Sequence, residues 1–375
     1  MEMRTFENID IQTSLLGYGC MRFPTKEGKI DYPEAEKLID TAIRGGVNYI
    51  DTAYPYHNGE SEPVVGKILK KYDRSSFFIA TKLPCWSIES VEDAKKLFEE
   101  QLNRLDMDYV DFYLLHSMNL SLFQKMADLG VLDYLDQEKK AGRIRFFGFS
   151  FHDSFSSFEK IINYRKWDFC QIQLNYMDTE IQAGLKGLKL AEELHVPVII
   201  MEPVKGGRLA NLPEEAVLEF HKLLPDQSVS SWAMRYVGSL PGVKVILSGM
   251  SNGEQVKDNL CTFNNFKKLN NEELKAVEKV AEILKNKTKN GCTSCGYCKP
   301  CPFGVDIPHN FSIWSELGIY QNKEITKTEW KHWIADKEKA KNCMDCGKCE
   351  SLCPQKISIR ADLKKLQKEL DEICI

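Results

Sequence analysis

Eight short apolar runs punctuate the first ~285 residues: Leu15–Cys20, Val47–Asp51, Phe77–Lys82, Tyr109–His116, Ile144–Ser150, Asp168–Asn175, Pro197–Glu202 and Val243–Ser248. They are rich in Ile, Val, Phe and Tyr and mostly lack strict alternation, as strands buried on both faces do. Between them lie amphipathic stretches of helical period, among them Tyr32–Arg44, Ser90–Leu105, Ser121–Ala141 and Thr179–His195. Several end at glycine, as at Gly45-Gly46 and Gly142, which is helix C-cap chemistry. Strand and helix alternating eight times predict an α/β chain folded as a parallel (β/α)8 barrel. A doubly wound open sheet shares the alternation, but no G-x-G-x-x-G follows the first strand to support it. Helices over Glu254–Phe263 and Asn271–Lys285 close the barrel, and the polar Lys285–Asn290 is a linker.

Length agrees with this pattern. The chain has 375 residues, enough for a barrel of about 250 and a small appendage. The expected division is 1–285 for the barrel and 286–375 for the appendage. A net charge of −4 excludes an overall basic nucleic-acid binder. No apolar run approaches the ~18 residues of a membrane span. The opening Met-Glu-Met-Arg-Thr-Phe-Glu-Asn has acids where a signal peptide is cationic and then apolar. The expectation is a soluble cytoplasmic protein with neither nucleic acid nor membrane as partner.

Thirteen cysteines change the picture, because eight of them lie between 292 and 353. Two-residue spacing in a long cytosolic chain indicates metal rather than disulfides. The first motif is Cys292-x2-Cys295-x2-Cys298-x2-Cys301-Pro, the second Cys343-x2-Cys346-x2-Cys349-x3-Cys353-Pro. The second matches the C-x2-C-x2-C-x3-C-P run of bacterial ferredoxins at every position; the first is one residue short before its fourth cysteine. This resemblance implies two [4Fe–4S] clusters, each taking its fourth ligand from the other motif. Cluster one would then use Cys292, Cys295, Cys298 and Cys353, and cluster two Cys343, Cys346, Cys349 and Cys301. The 41 residues between Cys301 and Cys343 contain helix-like Asn310–Gly318 and Thr328–Ala340, similar to α-helical ferredoxins. A pair of four-cysteine zinc sites is the alternative that C-x2-C spacing leaves open.

Catalytic residues of a barrel sit at the C-terminal ends of its strands. Those ends carry Asp51, Lys82 and His116, with Tyr56 five residues past Asp51. On these residues, and on Gly17-Tyr-Gly-Cys-Met21 and Ser248-Gly249, the first ~285 residues resemble an aldo-keto reductase. With the cysteine motifs, the chain resembles an iron–sulfur-containing branch of that family with a ferredoxin-type tail. The resemblance implies NAD(P)-dependent carbonyl reduction or alcohol oxidation, with Asp51, Tyr56, Lys82 and His116 as the catalytic set. The residue types suit that chemistry. Tyr56 would donate the proton, Lys82 would lower its pKa, Asp51 would hold Lys82 charged, and His116 would orient the carbonyl.

The same resemblance implies the cofactor positions. Ser150 and Gln171 match those holding the nicotinamide carboxamide, and Phe151 stands where many members have Asn. Met201 falls where an aromatic often stacks, with Met21 and Pro203 nearby in the cradle. Gly206, Gly207 and Arg208 would meet the pyrophosphate. Ser248, Gly249, Gln255 and Asn259 match the adenosine-phosphate site at a helix N-terminus. Gln255 replaces a common Arg, which weakens the case for NADP over NAD. Cys85, Trp86, Met21, Phe23 and Tyr54 are expected around an apolar mouth that takes a small carbonyl or alcohol. Hydride chemistry moves two electrons and a cluster one, so a flavin, a radical substrate intermediate or a redox partner protein would have to bridge the domains. No flavin site is legible. The alternative is a non-catalytic electron carrier or redox-sensing module on a nucleotide-binding barrel.

Overall fold

The computed structural model describes residues 1–292 and 294–374. Its strands, numbered in chain order, include two short antiparallel pairs. These are β1 (Met3–Phe6) with β2 (Ile11–Ser14), and β4 (Thr25–Lys26) with β5 (Lys29–Ile30). The eight apolar runs form the rest: β3 (Leu16–Gly19), β6 (Tyr49–Asp51), β7 (Phe78–Leu83), β8 (Val110–Met118), β9 (Ile144–Phe151), β10 (Phe169–Gln173), β11 (Val198–Met201) and β12 (Val243–Ser248). They pair in parallel and close a barrel in the order β10-β11-β12-β3-β6-β7-β8-β9. Each crossover carries the chain through helix and back, so all eight C-terminal ends meet on one face.

The barrel interior is filled from its N-terminal end. Phe112 sits between Tyr49 and Phe169, with ring centres 4.9 Å from each. Phe6, from the β1–β2 hairpin, is fully buried 5.8 Å from Phe112. Edge-on aromatic packing adds about 0.5–1.5 kcal/mol per pair beyond the area buried. With that end plugged by carbon, polar side chains gather at the other.

Helix ends follow their caps. Helix Val91–Leu105 starts where Ser90 and Asp93 exchange side-chain and backbone hydrogen bonds in a capping box. The single helix expected over Ser121–Ala141 is two, Leu120–Asp128 and Val131–Lys140. Gly130 between them takes a φ of 72°, which a helix cannot continue. The helix expected over Thr179–His195 is confined to Gly184–Glu193. In the tail, Asn310–Gly318 extends to Ile307–Tyr320, and Thr328–Ala340 is instead Lys323–His332 followed by two short 3-10 turns.

Two compact units result: Met1–Gly206 with Ser230–Asn270, and Gly207–Val229 with the chain from Asn271 onward. This grouping differs from a division after residue 285, because helix Asn271–Lys285 packs on helix Glu214–His221 in the second unit. The second unit's core joins Phe311, Trp314 and Leu317 to Leu363, Leu366 and Leu370 of helix Ile359–Cys374, with six motif cysteines against it. Asn310, fully buried, donates to the carbonyls of Asp306 and Glu338 and accepts from the Ala340 amide. That one side chain fastens both ends of the insert between the motifs. No helix among the described residues is long and apolar enough to cross a membrane.

Candidate active site

A hollow of about 830 Å³ opens at the C-terminal ends of the barrel strands. Asp51, Tyr56, His116, Ser150, Gln171, Met201, Met21 and Gly249 line it, as do Arg22, His152 and Glu202, which sequence reasoning passed over. Glu202 and Arg22 directly follow a strand-end Met201 and the Met21 of the first turn, which is the signal that would have found them.

Lys82 lies beneath the hollow and is fully buried. Its ammonium donates to Asp51 Oδ1 and to the Thr52 carbonyl, each at 2.7 Å, and its nitrogen stands 5.1 Å from the centre of the Tyr56 ring. Behind it, Gln101 donates to the Lys82 carbonyl and to Glu62, which also accepts from Thr81. These bonds fix β7 from the side away from the hollow. Burial works against the charge on Lys82, but Asp51 and Tyr56 outweigh it and hold its pKa above the ordinary value, so it stays an ammonium. Burial lifts the Asp51 carboxyl while Lys82 pulls it down. Against that ammonium the pair is an ion pair.

The Tyr56 hydroxyl departs from expectation. Lys82 lowers its pKa as the chemistry requires, yet burial outweighs that pull and the net shift is upward from 10.0. Tyr56 is therefore a protonated donor throughout the neutral range. The His116 ring centre is 6.0 Å from that of Tyr56 and 5.1 Å from that of Trp86. Burial first, then Lys82, hold His116 well below its ordinary pKa. The imidazole is neutral, and its buried Nδ1 has no hydrogen-bond partner among the described residues.

The cofactor positions divide. Gln171, paired in register with Ser150, lines the hollow and donates to the Met201 sulfur at 3.6 Å. Its Oε1 is buried without a partner among the described residues, which suits the N–H groups of a carboxamide. Ser150 Oγ accepts from the Ser117 amide. Asn259 donates to Ser248 Oγ at 2.9 Å. Gln255 Oε1 accepts from the Ser251 amide at the start of helix Gly253–Asn264, so its carbonyl is engaged in capping. Pro203 is buried. Gly207 belongs to the second unit, and Arg208 pairs there with Glu316 and Glu329 instead of standing free for a phosphate. Phe151 packs edge-on against Phe158 in the core.

Of the residues expected at the mouth, Met21 lines the hollow and Trp86 stands beside His116. Trp86 and Met21 are exposed. Phe23 is buried against Tyr18, Cys85 is fully buried, and the Tyr54 hydroxyl turns away to Glu100.

In the second unit two hollows, of about 330 and 370 Å³, are lined by cysteine. Cys292, Cys295, Cys298 and Cys353 line the first. Cys301, Cys343, Cys346, Cys349 and again Cys298 line the second. Among the described residues no three His, Cys, Asp or Glu side chains converge closely enough to hold a single ion. Thiols ringing a volume suit a cluster of several atoms better than a lone tetrahedral zinc.

Comparison with known proteins agrees with this geometry. Residues 15–282 match the model of the aldo/keto reductase family, so the chain belongs to that family and is an oxidoreductase. Residues 291–357 match the model of a 4Fe-4S dicluster domain. An oxidoreductase of Bacillus subtilis is 26% identical over 310 residues, covering 74% of this chain and 96% of its own. The NADH-specific methylglyoxal reductase of Escherichia coli is 25% identical over 300 residues, 68% of this chain and 91% of its own. Among solved structures, the holo form of an aldo-keto reductase from Bacillus halodurans is 26% identical. It superposes with a TM-score of 0.63 over 75% of this chain and 96% of that one.

Proposed function

We propose that this protein is an NAD(P)-dependent aldo-keto reductase that reduces a small carbonyl compound, with Tyr56 as the general acid, and that its tail holds two [4Fe–4S] clusters. Bound nicotinamide dinucleotide supplies the hydride. The rest is the work of the chain. His116, neutral and facing the hollow, donates a hydrogen bond that orients the carbonyl oxygen. Tyr56 gives its proton to the oxygen as negative charge develops there. Lys82 then stabilises the phenolate left behind, and Asp51 keeps Lys82 charged and aimed. In the reverse direction the phenolate would take the proton from an alcohol. Gln171 and Ser150 hold the carboxamide, Met21 and Met201 pack about the ring, and Ser248, Gly249, Gln255 and Asn259 face the adenosine end.

One observation carries this reading: a buried Lys82–Asp51 ion pair set directly under a tyrosine that shares a hollow with a neutral histidine. Four cysteines around the first hollow and five around the second support the cluster assignment, with Cys353 serving the first and Cys301 the second. The test is Tyr56→Phe in the anaerobically reconstituted protein. Carbonyl reduction should fall by about 10²–10⁴-fold with dinucleotide binding retained. Reduction that persists in Tyr56→Phe removes Tyr56 from the mechanism.

A further inference from the structure

We propose that Lys348 and Arg360 set the order in which the two clusters take an electron. They give the cluster held by Cys301, Cys343, Cys346 and Cys349 the higher reduction potential. The proposal rests on the preceding reading that each cysteine-lined hollow holds a [4Fe–4S] cluster.

The two hollows are built alike. Each motif takes a positive φ just before its second cysteine and again just after it. The values are 55° and 78° at Ser294 and Gly296, and 58° and 74° at Asp345 and Gly347. A proline follows the fourth cysteine in both motifs, and a helix starts six residues beyond that cysteine, at Ile307 and at Ile359. Each motif also leaves its second cysteine exposed, Cys295 and Cys346. A helix N-terminus and exposure to water both shift a cluster's potential. Here both are matched, so neither ranks the clusters.

Counting from the cysteines pairs the linings. Tyr297 and Lys348 each lie two past the exposed cysteine. Pro308 and Arg360 each lie seven past the fourth cysteine, and Phe311 and Leu363 each ten. Tyr297, Pro308 and Phe311 line the first hollow, whereas Lys348, Arg360 and Leu363 line the second. At two matched positions, then, an uncharged residue on one side answers a cation on the other. Among the described residues no Asp, Glu, Lys, Arg or His lines the first hollow, and no Asp or Glu lines the second.

Acids stand behind the cations without cancelling them. Arg360 donates to Glu350 at 3.0 Å, and Lys364 donates to Asp345 at 2.8 Å. Lys348, Arg360 and Lys364 against Asp345 and Glu350 leave one positive charge. Beside the first motif, Lys299 pairs with Asp306 at 2.9 Å and leaves none. The Glu350 clasp also aims the guanidinium. Its carbon lies 3.6 Å from where a side-chain carbon at Gly347 would stand, against the turn between Cys346 and Cys349.

Reduction places one more electron, and so one more negative charge, on a cluster. A fixed cation at its edge stabilises that charge and raises the potential. Cys298 and Ile307 line both hollows, so the two are neighbours. An electron delivered to either side by a one-electron donor therefore settles in the second.

The test is a redox titration of anaerobically purified holoprotein with dithionite, followed by electron paramagnetic resonance, with iron counted in every sample. Two one-electron waves are expected. Cys353→Ala keeps the second set of ligands whole and should retain the upper wave. Arg360→Gln should weaken reduction of the upper cluster about tenfold, a fall of about 59 mV for one electron, and leave the lower wave in place. Lys348→Gln should act in the same direction. Tyr297→Lys, at the matched position, should raise the lower wave. Arg360→Lys keeps the charge without the fork and should restore most of the wild-type potential.

A purely structural role for these side chains would lower the melting temperature of the variants and leave both waves where they were. That result overturns the proposal, as does equal movement of both waves, or loss of the upper wave in Cys353→Ala with the lower one kept. If Arg360→Gln fails to keep iron, Lys348→Gln and Tyr297→Lys decide the matter, because both side chains are exposed. About eight irons with unmoved waves refute the ranking alone; about four in the wild type refute the two-cluster reading and the ranking with it.

Discussion

Asp51→Asn isolates the electrostatic heart of the site. The substitution keeps an oxygen that can accept from Lys82 but removes the negative charge its ammonium touches at 2.7 Å. Lys82 is fully buried, so an uncompensated ammonium there costs about 3–5 kcal/mol. The alternative is to shed the proton, which from an ordinary lysine pKa costs roughly 4–5 kcal/mol at pH 7. The two routes agree on a deficit of about 4 kcal/mol, and they differ in pH dependence. If Lys82 turns neutral, the folded variant binds one proton fewer than its unfolded chain, so its stability rises with pH. The deficit against wild type then shrinks by about 1.4 kcal/mol per unit between pH 7 and 10. In the wild type the Lys82 pKa is raised, the ammonium persists in both states, and this slope is absent below the unfolded pKa. Urea unfolding of both proteins at pH 7 and pH 9, followed by far-ultraviolet circular dichroism, measures the deficit. A value under about 1 kcal/mol at pH 7 would mean that the pair is solvated and the reading of the site is wrong.

Three further outcomes follow from the same geometry. Because burial raises the Tyr56 pKa above 10.0 despite Lys82, kcat/KM for reduction should stay flat through pH 9; a fall beginning near pH 7 would show that Lys82 wins instead. His116 has a depressed folded pKa, so below an unfolded value of about 6.5 the unfolded chain binds more protons and stability drops with falling pH. His116→Gln should remove about 1.4 kcal/mol per pH unit of that slope in urea titrations from pH 6.5 to 5, and an unchanged slope would mean that the ring is accessible. For the cysteines, Cys353→Ala should cut bound iron from about eight to about four per chain, and adding Cys295→Ala should remove no more. Adding Cys346→Ala instead should remove the rest, and iron retained in that double variant would refute the crossed ligand sets.

Some of this was legible because sequence spacing and spatial spacing coincide. Strands buried on both faces announce themselves as unbroken apolar runs, and their ends mark one rim, which is why Asp51 and His116, with Tyr56 just past Asp51, stand out in the sequence alone. Cysteines two apart must ring something small, and the two hollows are lined accordingly. Strand β1 is illegible because Met-Arg-Thr-Phe carries no apolar run, only one residue that plugs the barrel. The break at Gly130 was missed because apolar periodicity continues across it. Arg208 shows the harder limit. Gly206-Gly207-Arg208 after a strand reads locally as a phosphate-binding turn. Its actual partners, Glu316 and Glu329, lie more than a hundred residues away on helices without any motif.

Hydride transfer moves electrons in pairs and iron–sulfur clusters move them singly, so the two halves of this chain cannot exchange electrons through a nicotinamide alone. One feature of the molecule bears on where a cluster's electrons would go. Cys295 and Cys346 are exposed, and Tyr297, Phe303 and Met344 beside the two cysteine-lined hollows are exposed as well. That openness suits electron exchange with an outside partner more than a buried staple. A titration of holoprotein with NADH and with NADPH tests it. Bleaching of the broad cluster absorbance would require a one-electron relay within the chain, a flavin foremost. Tight binding without bleaching would give the clusters' electrons to another protein.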